Sequence, residues 1–142
     1  MKIDFYILDT DSQQQAHLYV CRLLEKMYME NQLPVVVHTD ARADAERLEN
    51  LLWIYRDDSF LPHQLMAEEN ISPILIAYGE YKNTLQGTLI NLGKEIPACY
   101  QQFEQIIEIV FTDENIQQYA RQRYKHYRDL GLNIQTNKLK VN

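Results

Sequence analysis

Short uninterrupted runs of β-branched and aromatic residues alternate along this chain with longer segments whose apolar residues recur at helical spacing. Ile3-Asp4-Phe5-Tyr6-Ile7-Leu8, Val35-Val36-Val37-His38, Ile74-Leu75-Ile76-Ala77-Tyr78, Thr88-Leu89-Ile90-Asn91-Leu92 and the run from Ile106 to Phe111 each read as a strand. Strands buried on both faces lose the polar alternation of a half-wet sheet. These runs therefore predict a mostly parallel sheet covered on both sides. The polar cluster Asp9-Thr10-Asp11-Ser12 supplies capping groups for a first helix reaching about Asn31, with Ala16, Val20, Leu23, Leu24, Met27 and Tyr28 on one face. Asp40 is expected to cap a second helix with Ala41, Ala45, Leu48, Leu51 and Leu52 facing inward. Residues 53–73 read as irregular, and a short helix is expected near 98–103. The last helix starts at Thr112 or Asp113 and runs to Leu130, ended by Gly131. The pattern predicts one α/β domain over residues 1–142.

A chain of 142 residues, 46% hydrophobic, can bury a full core without staples. Its two cysteines, Cys21 and Cys99, are too few for a disulfide scaffold. The opening MKIDFYILDT lacks a signal-peptide pattern, and no window approaches the ~18 uncharged apolar residues of a membrane span. The expectation is a cytoplasmic protein with no membrane partner. The net charge of −6 hides an asymmetry. Of 14 basic and 20 acidic residues, six basic and one acidic fall in residues 117–142, giving +5 there against −11 elsewhere. Such a basic end points to a localised anionic partner. The acidic bulk argues against general adhesion to a nucleic-acid backbone, so no direct DNA partner is expected.

Catalytic chemistry has little to build on. Asp9-Thr10-Asp11 follows the first strand, where parallel sheets place ligands, and looks like the first motif of haloacid-dehalogenase-like phosphotransferases. A magnesium-dependent phosphotransferase or nucleotide-binding α/β enzyme using Asp9 and Asp11 is thus the alternative function. Capping explains Asp11 and Asp40 without it. The glycines Gly79, Gly87, Gly93 and Gly131 are scattered and form no phosphate-binding loop. His17, His38, His63 and His126 show no ligand-pair spacing, so no metal and no cofactor are expected. Cys21 falls near the apolar face of the first helix and reads as packed, and Cys99 has no neighbouring cation to favour a thiolate.

Two surfaces stand out instead. On the last helix Gln117, Arg121, Lys125 and Arg128 fall in one narrow sector with Tyr124 at its edge, while Ile116, Tyr119, Ala120, Tyr127 and Leu130 lie on the far side. Like charges at this spacing cost a few tenths of a kcal/mol, which an anionic partner offsets. Cations beside an aromatic ring suit an acidic, aromatic peptide. The second surface is the segment from Leu51 to His63, with the only tryptophan, Trp53, followed by Phe60, Leu61 and Pro62. It is either a lid over the core or an apolar patch that needs a partner.

These surfaces carry a resemblance. Phe5-Tyr6-Ile7-Leu8-Asp9, Leu52-Trp53 with Ser59-Phe60-Leu61-Pro62-His63, and Ala120-Arg121-Gln122-Arg123-Tyr124-Lys125-His126-Tyr127-Arg128 with Gly131-Leu132-Asn133 resemble the chi subunit of bacterial DNA polymerase III holoenzyme, end to end. The resemblance implies a Rossmann-like three-layer α/β/α fold and a non-catalytic adaptor of the clamp-loader assembly. One end would bind the psi subunit. The other would bind the acidic C-terminal tail of single-stranded-DNA-binding protein (SSB), which finishes in a Pro-Phe carboxylate. By position, Arg121, Tyr124, Lys125 and Arg128 are expected to grip that tail, with Val110 and Phe111 forming the pocket for its terminal phenylalanine. Gln117 stands where some relatives carry a lysine. Trp53, Phe60, Leu61, Pro62 and His63 are expected to face psi.

Overall fold

Three amphipathic helices and seven parallel strands account for most of the chain in a computed structural model that describes residues 1–56, 58, 60–82 and 86–141. Strand β1 (Lys2–Leu8) leads into helix α1 (Gln13–Met29), strand β2 (Val35–Thr39) and helix α2 (Arg42–Ile54). Strands β3 (Gln64–Leu65), β4 (Ile74–Tyr78), β5 (Thr88–Asn91) and β6 (Gln105–Phe111) follow, then helix α3 (Glu114–Asp129) and strand β7 (Asn133–Leu139). The strands form one sheet in the order β3-β4-β2-β5-β6-β1-β7, every pair parallel. This is the Rossmann-like α/β arrangement that the resemblance implies, with the parallel sheet that the apolar strand runs predict.

Strand alternation divides the interior in two. On one face Leu8, Val35, Val37, Ile74, Ile76, Ile90, Ile107 and Ile109 pack against Val20, Leu24 and Met27 of α1 and Leu48 and Leu52 of α2. On the other, Ile3, Phe5, Val36, Leu75, Leu89, Ile106 and Val110 pack against Ala120 and Tyr127 of α3 and against Phe103. Each fully buried Leu or Ile contributes about 1.5–3 kcal/mol relative to exposure. Cys21 is packed in the first core, and burial pushes its thiol up to about 12.

Local chemistry sets the boundaries, with some departures from expectation. Ser12 caps α1, its Oγ accepting from the Gln15 N–H at 3.1 Å, so Asp11 is not the cap. The N-cap of α2 is Ala41, which makes no side-chain cap bond. Asp40 instead accepts the Lys94 N–H at 2.9 Å, tying the β2–α2 turn to the loop after β5. The expected helix near 98–103 is a single 3₁₀ turn, Tyr100–Gln102. The stretch read as irregular contributes the short edge strand β3. Gly87 lies where a Cβ would come within 2.4 Å of the Pro34 carbonyl oxygen, at φ +135°, so only glycine fits between β2 and β6 there. Strand β7, which the sequence did not announce, pairs with β1 along its whole length and becomes the other edge of the sheet.

Candidate binding cleft

Helix α3 is firmly placed. Asp113 caps its start, accepting the Ile116 N–H at 3.1 Å, and Gly131 at φ +74° ends it in the left-handed conformation. Its inner face carries Ala120, Tyr127 and, unexpectedly, Arg123, which is only 5% exposed. The guanidinium donates to Glu108 of β6 at 2.8 Å and to the Lys94 carbonyl at 2.8 Å. The second Glu108 oxygen accepts from the Tyr127 hydroxyl at 2.6 Å and the Asn91 amide at 3.2 Å. Burial first, and the Glu108 carboxylate second, raise the Tyr127 phenol well above its ordinary value, so it stays a donor. Glu108 is fully buried, so each of these bonds offsets part of a large desolvation cost. The network fixes which face of α3 looks outward.

That outward face borders a cavity of about 410 Å³. Gln117, Arg121 and Tyr124 of α3 form one wall, with Ala120 between them. Phe5 and Ile7 of β1 and Val110 of β6 form an apolar floor, and Thr136 of β7 closes the far side. The Tyr124 ring packs on Phe5 with centroids 5.4 Å apart, leaving one edge exposed. Arg121 is exposed and has no ion-pair partner among the described residues. Lys125 and Arg128 lie on the exposed side of the same helix, outside the cavity lining, and Arg128 sits 3.7 Å from Asp129. An apolar slot with a free guanidinium at its rim can take an apolar or aromatic group attached to an anion.

Two expectations are corrected here. Phe111 does not line the cavity, because it neighbours Val110 on one strand and so faces the α1–α2 core instead. Leu130 is half exposed, standing at the C-cap of α3 rather than on its packed face. The residues that sequence reasoning missed are Phe5, Ile7 and Thr136, brought in by strands remote in sequence, and the Glu108–Arg123 pair. One signal for that pair was visible: a carboxylate inside the apolar run from Ile106 to Phe111 needs a buried cation.

The second surface is also partly corrected. Trp53 is 53% exposed and Phe60 70%, their rings 5.7 Å apart, with the His63 ring tilted against the indole at 4.7 Å. Leu61 is only 2% exposed and belongs to the core, pinning the segment down rather than facing outward. Pro62 and His63 are partly buried, and His63 Nδ1 lies 2.6 Å from the Leu61 carbonyl. Ser59 lies outside the described residues. Arg56 pairs with Glu25, joining the end of α2 to α1. Asp9 and Asp11 are exposed, and no group of three His, Cys, Asp or Glu with metal-holding geometry exists among the described residues. No described helix is long and apolar enough to cross a membrane.

The family model described as "DNA polymerase III chi subunit, HolC" matches residues 1–135. The chain belongs to the DNA polymerase III chi subunit family. It is 30% identical over 138 residues to DNA polymerase III subunit chi of Pseudomonas aeruginosa, covering 97% of this chain and 96% of that one. The chi subunit of Haemophilus influenzae is 31% identical over 135 residues, with 93% of each chain covered. That of Escherichia coli is 27% identical over 139 residues, covering 93% and 94%. The fold of this chi-family chain is also similar to the C-terminal domain of the DEAD-box protein Dbp5, at a TM-score of 0.65 and 13% identity, covering 96% of this chain and 90% of that domain. At that identity the likeness concerns the fold alone.

Proposed function

We propose that this chi-family chain is a non-catalytic, cytoplasmic accessory subunit of the DNA polymerase III assembly that holds two protein partners at once. In this reading the cleft beside α3 receives the acidic C-terminal tail of SSB, and the patch around Trp53 and Phe60 receives psi. The observation that carries the reading is the pairing of an apolar, aromatic slot with the exposed Arg121 guanidinium at its rim, which has no ion-pair partner among the described residues. A terminal phenylalanine buried against Phe5, Ile7, Val110 and Tyr124 contributes about 1.5–3 kcal/mol. A charge-assisted bond from Arg121 to a carboxylate contributes about 1.5–3 kcal/mol more. Lys125 and Arg128 are exposed, where an ion pair is worth about 0.2–1 kcal/mol, and they supply attraction at longer range. The sum describes a weak contact, which suits a partner that offers many mobile tails near one site.

Calorimetric titration with an acidic peptide ending in Pro-Phe tests the reading. Arg121→Ala is expected to weaken binding at least tenfold, Lys125→Ala by a few-fold, and amidation of the terminal carboxylate by at least tenfold. Equal binding by the wild-type chain and Arg121→Ala would refute the assignment. Trp53→Ala is expected to leave the peptide affinity unchanged while reducing capture of psi.

A further inference from the structure

The cleft has a second rim that belongs to no helix. Strands β1 and β7 run parallel in register, pairing Phe5 with Thr136 and Ile7 with Lys138. Paired residues of a parallel ladder project to the same face, about 4.8 Å apart between strands. Phe5, Ile7 and Thr136 all line the cleft, so the face on which Lys138 lies is the cleft face. Its neighbours on β7 agree: Ile134 packs in the α3-side core and Leu139 against the opposite one. Lys138 is exposed and has no ion-pair partner among the described residues. It sits beside Ile7 near the carboxyl ends of the strands. Helix α3 begins at that same end, where its cleft-lining residue is the uncharged Gln117.

We infer that Lys138 is a binding residue on the strand side of the cleft, a cation that contacts the acidic residues of a bound peptide and faces Arg121 across the slot. The anionic ligand is then held from two elements rather than one: α3 supplies Arg121, and the sheet edge supplies Lys138. Being on an edge strand, Lys138 has solvent on its outer side, and it stands just outside the cleft lining, beside Ile7. The inference rests on the peptide-binding reading of the cleft.

The test is titration of the full-length chain with two synthetic peptides. Both end in Pro-Phe with a free carboxylate. One has aspartates before that ending and the other serines. Lys138→Gln is expected to weaken the aspartate peptide roughly threefold to fivefold at low salt, with the difference shrinking as salt is added, and to leave the serine peptide unchanged. Lys26→Gln removes the same charge from α1, on the opposite face of the sheet, and is expected to change neither affinity by more than about twofold. Tight binding of the aspartate peptide by the wild-type chain that Lys138→Gln leaves intact would overturn this inference alone. So would an equal loss in Lys26→Gln, which would mark a net-charge effect. Failure of the wild-type chain to bind either peptide would overturn both this inference and the function it rests on.

Discussion

Glu108 sits in a strand between Ile107 and Ile109, out of reach of water, yet both of its oxygens are engaged by Arg123, Tyr127 and Asn91. Such a pair stabilises little against an apolar substitute but is costly to break. Arg123→Ala should therefore lower unfolding free energy by about 3–5 kcal/mol, because it strands a buried carboxylate. Replacing both partners together, Glu108→Leu with Arg123→Met, should cost far less, and denaturant titration of the three proteins measures the difference. The same residue pair shows where sequence legibility ends. Arg121, Arg123 and Lys125 are chemically alike, and helical spacing alone separated Arg121 and Lys125 from the inward side. That Arg123 turns in depends on a partner 15 residues earlier on another element. The Leu61 side chain is a similar case, since it is buried in the core that also holds Leu48 and Leu52 of α2, a contact its neighbours in sequence do not announce.

At the scale of elements, α3 carries the outward cations and is held by its ends as well as by its core face. Asp113→Ala should cost about 1 kcal/mol by leaving the Ile116 N–H unpaired, and Gly131→Ala about 1–2 kcal/mol by forcing a Cβ into the left-handed region. Both effects are readable by thermal melting, and neither should alter the affinity of the cleft for a peptide once the chain is folded. Helix ends of this kind were legible in the sequence because capping is a local affair. The apolar strands were legible too, since burial on both faces leaves a run of Ile, Val and Leu. Strand β7 was not. As an edge strand it carries Asn, Gln, Thr and Lys, and its pairing with β1 is enforced by the turn at Gly131 and by Ile134 and Leu139 alone. Missing β7 hid one wall of the cleft, Thr136 and with it Lys138.

For the whole molecule, two buried histidines tie stability to pH. Burial holds His17 and His38 below the ordinary imidazole range, and His38 Nδ1 is engaged 3.0 Å from the Tyr81 hydroxyl. The unfolded chain protonates both near pH 6.5, while the folded chain resists doing so. Stability is then full above pH 6.5 and falls as the pH drops below it, because the unfolded state binds more protons. Denaturation midpoints at pH 7.5 and 5.5 should show the loss, and His17→Gln should flatten the slope. A midpoint that rises on acidification would contradict the sign.

The placement of the two outward surfaces has a last consequence. Trp53 belongs to α2, which packs over β2, β3 and β4 on one side of the sheet, whereas the cleft opens beside α3, over β1 and β7 on the other. The parallel sheet separates them, so a ligand on one surface would not cover the other. Occupancy at the two stations should therefore be statistically independent. A ternary species should accumulate as the simple product of two binary affinities, without cooperativity of either sign. On the proposed function, what such a body would transmit is position: a fixed spacing between its two partners, much as a rigid strut sets.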